Sequence, residues 1–414
     1  MAESTPSVRR NSVDDPNNAV SRYHNALDRL KTNDVIAKED REAIIRVINQ
    51  MEATGHSRGD YSPNSLYLYV NSLRKLGEAT DTPLTEYESI HEFNNTILEL
   101  KRDGISHSYR RSMRSASRRL FEMQGAEWWE DIEIGKPKPT KVTPDDVFTP
   151  AEANRILEHA KDPRNKAILA MLLATGQRVC ALQSLKVGDI HIDKHGGYFK
   201  LNGEAVGLKG ANGGRPLIWA KHYVANWLDV HPSPEDPNAA LFGKTRDGST
   251  YVKGDPLTSG GISDIIKKTC KAADVPERKR FAHNFRHTAI TRMVRDDVNE
   301  QRIKFLVGWK KDSSMFEVYS KVTDTDHIRD INRQYGGDVE NDGVGVGISF
   351  EECPNPSCGA SLAEWVDPVA CPRCGGRLSQ RGADAEKRAE EDNYEAETSG
   401  AGGRGERRTL GRSR

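Results

Sequence analysis

His283, Arg286 and His287 stand in a stretch that reads HNFRHTAI, at positions i, i+3 and i+4. On a helix that spacing places the three side chains on one face. Two imidazoles around a guanidinium suit a bound anion better than an apolar core. Gly308-Trp309 follows, and Tyr319 comes directly after an apolar run that ends in Val318. A tyrosine that follows such a cluster can act as a nucleophile, provided nearby cations neutralise the phosphate it attacks. A second reactive group lies further on. Cys353 and Cys358 have four residues between them, Cys371 and Cys374 have two, and Pro-Arg-Cys-Gly-Gly surrounds the last. Two close pairs across a short loop suit one tetrahedral Zn2+, with two structural disulfides as the alternative. Glycine after the cysteine lets the backbone turn its N–H groups toward sulfur.

Another arginine sits upstream, in Ala174-Thr175-Gly176-Gln177-Arg178, with Leu182 and Leu185 beyond it. T-G-x-R, then H-x-x-R-H, Leu-Val-Gly-Trp and Tyr form an ordered set. In that order they resemble the active site of the tyrosine site-specific recombinases, the phage integrase family, from about Thr149 to Tyr335. No single motif carries the resemblance; the order does. It implies an enzyme that cuts and rejoins double-stranded DNA through a 3′-phosphotyrosine link. A type IB topoisomerase shares that chemistry. A non-catalytic DNA-binding regulator, reading Arg292 to Val318 as a helix-turn-helix, is the competing class, but it leaves Arg178 without a role.

The resemblance also implies roles. Arg178 and Arg286 give the scissile phosphate two planar forks of charge-assisted hydrogen bonds. His283 adds a donor or manages the attacking proton, Trp309 donates its indole N–H, and Tyr319 attacks. Lys209, on a β-hairpin turn, protonates the departing 5′-hydroxyl. His287 is expected to support the site from behind, with a satisfied core histidine as the equal alternative. Because the covalent link conserves bond energy, neither ATP nor a catalytic metal is needed. The family acts as four protomers on two duplexes, so a homo-tetramer in the synaptic complex and a monomer or dimer when free are expected. One position departs from the pattern: the acid expected three residues after the first arginine is Ala181.

The elements that must position these residues are mainly helical, with a small β-sheet. The chain has 414 residues, enough for two to three domains, with 61 Lys+Arg against 61 Asp+Glu and no net charge. A DNA-binding surface must then come from local grouping of basic residues. No apolar stretch is long enough to span a membrane, and the N-terminus lacks the apolar core of a signal peptide. With six cysteines, four of them in close pairs, a cytoplasmic, nucleoid-associated and reducing setting is expected. Cys180 and Cys270 fall in amphipathic helices and read as core thiols.

Residues 1–20 read as a flexible arm and 21–130 as a helical DNA-clamping (core-binding) domain. Ser62-Pro63 and Ser106 mark helix starts within it. The helix after Ser106 carries Arg110, Arg111, Arg114, Arg118 and Arg119, with no carboxylate before Glu122. Charges of one sign at this density suit phosphates, each of which releases counterions on neutralisation; a solvated face is the alternative. Residues 131–148 form a linker, in which Lys136-Pro137-Lys138-Pro139 is stiff and basic and either tracks the DNA backbone or merely spaces the domains. Thr149, Pro150 and Glu152 make a capping box that opens the catalytic domain, 149–337. Short strands are expected around His195-Gly196-Gly197, and a second turn within 208–215, flanked by Val206 and Leu217-Ile218-Trp219. A linker over 338–350, a zinc ribbon over 351–379 and a disordered tail over 380–414 complete the chain.

Overall fold

Tyr23, Ala26 and Leu30 recur at helical spacing and are buried along one face of α1 (Ala19–Lys31). The same periodicity builds α2 (Lys38–Thr54), α3 (Pro63–Gly77), α4 (Ile90–Arg102) and α5 (His107–Gln124). Their apolar faces close a first core that includes Val70, Leu73, Phe93 and Phe121. Local chemistry sets the ends. The Ser62 hydroxyl accepts from the Ser65 amide ahead of Pro63, and the Ser106 hydroxyl accepts from the Tyr109 amide. The computed structural model describes residues 12–55, 59–137, 142–193, 196–208, 212–249, 251–296, 298–320, 352–353, 355, 357–362, 371–376 and 378. Lys138, His195, Lys209, the 338–350 linker and the 380–414 tail lie outside them.

The second unit opens at the capping box: the Thr149 amide donates to Glu152 Oε2 (2.8 Å) and the Glu152 amide to Thr149 Oγ1 (3.2 Å). That start leads into α6 (Pro150–His159) and α7 (Pro163–Thr175). From Ala167 to Thr175 every residue of α7 is buried, so this helix is apolar all round and runs through the core. It stops at Gly176, which takes the left-handed conformation at φ 62°. After α8 (Val179–Gln183), strands β1 (Ile190–Asp193), β2 (Gly196–Leu201) and β3 (Gly213–Pro216) form an antiparallel sheet in that order. Then come α9 (Lys221–Asp229), α10 (Ser259–Ala272), α11 (Ala282–Arg295), α12 (Glu300–Val307) and the short α13 (Glu317–Ser320). The described residues are therefore mainly helical with one small sheet.

Three expectations need correction. Val206 and Leu217-Ile218-Trp219 do not flank the second turn as strands: β2 pairs with β3 from Tyr198↔Pro216 to Leu201↔Gly213, and Ile218–Ala220 form a 3-10 turn. The Val206 amide instead donates to the Asp14 carbonyl (2.8 Å). That bond belongs to the second correction, because Asp14 and Asn17 of the expected arm are docked. The Asp14 carboxylate accepts from Asn202 Nδ2 (2.7 Å) and faces Lys186 Nζ (3.3 Å), while Asn17 Oδ1 accepts from the Ser259 amide (2.9 Å). Polar side chains, not an apolar stripe, hold this segment on the second unit. Third, the cysteine segment is not a separate module: Cys353, Cys358, Cys371, Leu362 and Leu378 share one buried cluster with α7 and α9.

Candidate active site

Helix α11 carries the central motif and is fixed at its start. Lys279, just ahead of it, donates to the Val147 carbonyl (2.9 Å) and to Glu152 Oε2 (2.8 Å), both within the core. The Thr288 hydroxyl accepts from the Phe148 amide (2.9 Å). Breaking a buried ion pair of this kind by removing one partner costs roughly 3–5 kcal/mol. The helix is therefore clamped to the entry of the second unit before any chemistry is considered.

Arg286 is only 2% exposed, which for a guanidinium demands partners. Its Nη1 donates to the carbonyls of Gly176 (2.7 Å) and Val307 (2.9 Å). These close the C-terminal ends of α7 and α12, where unsatisfied carbonyls concentrate negative partial charge. Arg292 repeats the device, with Nη2 donating to Leu173 (3.2 Å) and Ala174 (3.3 Å). The other nitrogen of Arg286 differs. Nη2 is buried and has no hydrogen-bond partner among the described residues. Leaving such a donor unmade costs about 1–3 kcal/mol, which an incoming anion would recover.

Arg178 lies just beyond Gly176, at the start of α8, and is half-buried. Its charge bears on Arg286, His283 and Tyr319, so these groups converge on one place. Burial first, and then Arg178, push the Arg286 guanidinium down to about 9. Two cations close enough for one to lower the other's pKa make a site of positive potential.

Tyr319 is 1% exposed, and its hydroxyl lies 2.7 Å from His287 Nδ1. Burial raises the phenol to about 12, against the pull of Arg286 and Arg178. Burial also lowers His287 to about 4, helped by the charges of His283 and Arg286 and opposed by Asp146. Both partners are therefore neutral near pH 7, so the phenol donates and Nδ1 accepts. His283 is exposed, with its ring edge-on to His287 at 4.5 Å. Trp309 stands between the two halves of the site: its ring is 5.6 Å from Tyr319, and the Arg286 guanidinium is 5.4 Å from its centroid. Gly308 makes that possible by ending α12 at φ 69°.

Arg178, His283, Arg286, His287, Trp309 and Tyr319 are thus brought together. His287, buried behind the exposed His283, is the histidine that holds the tyrosine hydroxyl. Spacing could not separate the two histidines, since i and i+4 share a helix face. Sequence reasoning also missed the anchoring carbonyls of Gly176 and Val307, which carry no side-chain signal. Ala181 is buried at 3% exposure, and the carboxylate whose charge reaches His287 is that of Asp146. Asp146 is held by Thr143 and faces Arg278 (3.6 Å).

The arginines of α5 lie on the first unit. Arg119 pairs with Glu122 at 2.8 Å, so one of them does find the i, i+3 partner that the charge pattern argued against. Arg110 donates to the Ile105 carbonyl, and Arg111 Nε donates to the Gly135 carbonyl (3.0 Å). Arg118 lies over the Trp129 ring at 5.2 Å. Of these partners only Glu122 carries the opposite charge, and Lys136 is exposed.

The four cysteines form a compact set, with every Sγ within 4.8 Å of the others. Cys353 and Cys374 are 3.6 Å apart, and Cys358 and Cys371 are 3.7 Å apart. A disulfide requires about 2.05 Å, so this arrangement is not two disulfides. Four thiolates at about 2.3 Å from one Zn2+ would be spaced by about 3.8 Å, and the observed separations fit that donor set. Gly359 and Gly375, each following the second cysteine of a pair, take φ 51° and 69°. The turn that the sequence suggested at glycine is present in both loops.

Residues 146–326 match the phage integrase family, a stretch that contains every member of the site above. The chain is similar to tyrosine recombinase XerD of Oceanobacillus iheyensis, 26% identical over 54% of this chain and 73% of that protein. It is also similar to tyrosine recombinase XerA of Pyrococcus horikoshii, 24% identical over 71% of this chain and 95% of that one. Among solved structures, the Tn1549 transposon integrase in complex with a circular intermediate DNA shares the fold with a TM-score of 0.51 and 15% identity, covering 70% of this chain and 99% of that one. A lambda integrase dimer bound to a COC′ core site gives 0.50 and 17% identity, covering 68% and 77%. Fold and site together define an enzyme class that cleaves and rejoins DNA strands. Within that class, residues 146–326 carry a phage integrase family domain, and the relatives that the chain resembles are tyrosine recombinases.

Proposed function

We propose that the protein is a site-specific recombinase or integrase in which Tyr319 attacks a phosphodiester of duplex DNA. What supports this reading above all is the unpartnered, buried Nη2 of Arg286 in a site shared with Arg178 and Tyr319. A phosphate seated there receives donors from Arg286 and Arg178, and a further N–H from Trp309. As the Tyr319 oxygen bonds to phosphorus, its proton passes to the neutral Nδ1 of His287. The charge that builds on the phosphate oxygens is met by the two guanidinium groups, in the way preorganised donors stabilise developing anions. Lys209 gives its proton to the departing 5′-oxygen, and His283 adds a donor at the exposed rim. The reaction leaves a 3′-phosphotyrosine and a free 5′-hydroxyl, and attack by a 5′-hydroxyl reverses it. No ATP or catalytic cofactor enters the balance.

The arginines at 110, 111, 114, 118 and 119, with Lys136 and Lys138, contact DNA phosphates on the opposite side of the duplex from the site. Four protomers act together in the synaptic complex, with a monomer or dimer when free. Zn2+ is held by Cys353, Cys358, Cys371 and Cys374 and has a structural role. No helix among the described residues is long and apolar enough to cross a membrane, and the reading places the protein with the nucleoid.

The test uses duplex DNA with candidate core sites, nicked so that cleavage releases a short fragment and traps the adduct. Denaturing electrophoresis should show a protein–DNA species with the wild type. Tyr319→Phe should bind the same DNA and give no such species. An adduct that forms without regard to sequence would move the reading to a type IB topoisomerase, and unchanged biological activity of Tyr319→Phe would move it to a regulator.

A further inference from the structure

The sequence presents the four-cysteine segment as an appendage, but its described residues are built into the catalytic unit. Cys353, Cys358, Cys371, Leu362 and Leu378 are buried in the cluster that also contains Val224 and Trp227 of α9. Gly376 shows how close the approach is. A Cβ there would lie 3.2 Å from His222 Nε2 on α9 and 3.3 Å from the Cys374 sulfur. The second cysteine loop therefore rests directly on α9. Tyr223, the next residue, packs against the same cluster.

From α9 the contacts run on without a break. The Tyr223 ring meets Trp219 edge-on at 6.2 Å, and the Arg292 guanidinium lies 5.7 Å from the Trp219 ring centroid. Arg292 holds the last carbonyls of α7, at Leu173 and Ala174. Gly176, which follows that helix end, holds Arg286. The described part of the cysteine segment has little to keep it folded by itself, with one isolated bridge, Glu352↔Ser361, and two buried leucines. Small metal-binding modules of this kind generally fold only when loaded, because metal binding supplies their folding free energy.

We propose that a metal ion in the four-cysteine site braces the catalytic unit, by holding this segment against His222 and Tyr223 and so keeping α9 and the end of α7 in place beneath the Arg286 anchor. The inference rests on the zinc reading above. His222 is a positioning residue in it: it packs against Gly376, two residues after Cys374, and so seats the second cysteine loop on α9. Loss of the metal releases the cover from α9 and loosens a helix pair whose far end fixes the arginine.

The test is hydrogen–deuterium exchange on the full chain, as purified and after treatment with a zinc chelator, with metal content measured in both. Chelation should free about one metal per chain. It should raise exchange across 352–378, and also across α9 and the 218–220 turn, by about tenfold or more, and Zn2+ should restore both. The α1–α5 unit should not change and serves as the internal reference. A Cys371→Ser/Cys374→Ser chain should behave as the chelated protein does. His222→Ala should keep its metal yet exchange faster over α9. The proposal fails if exchange rises in the cysteine segment while α9 stays protected, or if the purified protein carries no metal at these sulfurs. Neither readout depends on DNA cleavage, so a failed recombinase assay would leave this result standing, and the reverse.

Discussion

Arg286 and the arginines of α5 are the same side chain in opposite settings. Arg286 is sunk into the second unit with one nitrogen tied to two helix-end carbonyls and the other unpaired. The α5 arginines lie along a surface, partly exposed, and those at 110, 111, 118 and 119 rest on a carbonyl, on Trp129 or on Glu122. Buried charge costs free energy, so the fold commits two backbone carbonyls to a single guanidinium and gains a fixed donor. Surface charge costs little, and its effect comes from number and spacing. The first setting suits a single phosphate at the reacting atom, the second a stretch of DNA backbone.

The comparison breaks first at Arg286. Arg286→Ala should lower single-turnover cleavage by about 10²–10³-fold at saturating DNA, the usual loss for one preorganised donor. It should also lower the melting temperature, because the carbonyls of Gly176 and Val307 lose their partner. Acid should act next, through His287. Its folded pKa is depressed to about 4 from an ordinary value of 6.5, so the unfolded chain takes up a proton that the folded chain resists. The stability contributed by the neutral imidazole is present above pH 6.5 and is lost as pH falls toward 4; chemical denaturation across that window, with His287→Gln as reference, checks it. On α5, Arg114→Ala and Arg118→Ala should each weaken DNA binding several-fold and reduce the slope of log K against log salt by about one, leaving cleavage at saturation unchanged. Smallest of all, Glu122→Gln removes the partner of Arg119 on an exposed face, and should change unfolding free energy by less than about 1 kcal/mol.

What was legible in the sequence had a local physical cause. Ser62, Ser106 and the Thr149–Glu152 box each cap the helix that their spacing announces. The H-x-x-R-H spacing put its three side chains on one helix, and Thr175-Gly176 ended the helix before Arg178. The four cysteines converge as their pairing suggested. What stayed hidden depends on partners remote in the chain. Asp14 and Asn17 look like part of a polar arm because docking by single polar side chains leaves no periodicity. Strand β3 reads Gly-Gly-Arg-Pro, with no β-branched residue, and is a strand through its pairing with β2 alone. The cysteine segment offers too few apolar residues to announce that it covers α9. His287 could not be told from His283 until Tyr319 was placed beside it.

The central claim is that Tyr319 shares one phosphate with Arg178 and Arg286. The most direct measurement is to trap the covalent species on a nicked core-site duplex, digest it, and map by mass spectrometry the residue that carries the nucleotide. The account predicts a nucleotide on Tyr319 in the wild type, much less of it in Arg286→Ala and none in Tyr319→Phe. A nucleotide on another residue, or an adduct that survives Tyr319→Phe, would contradict it.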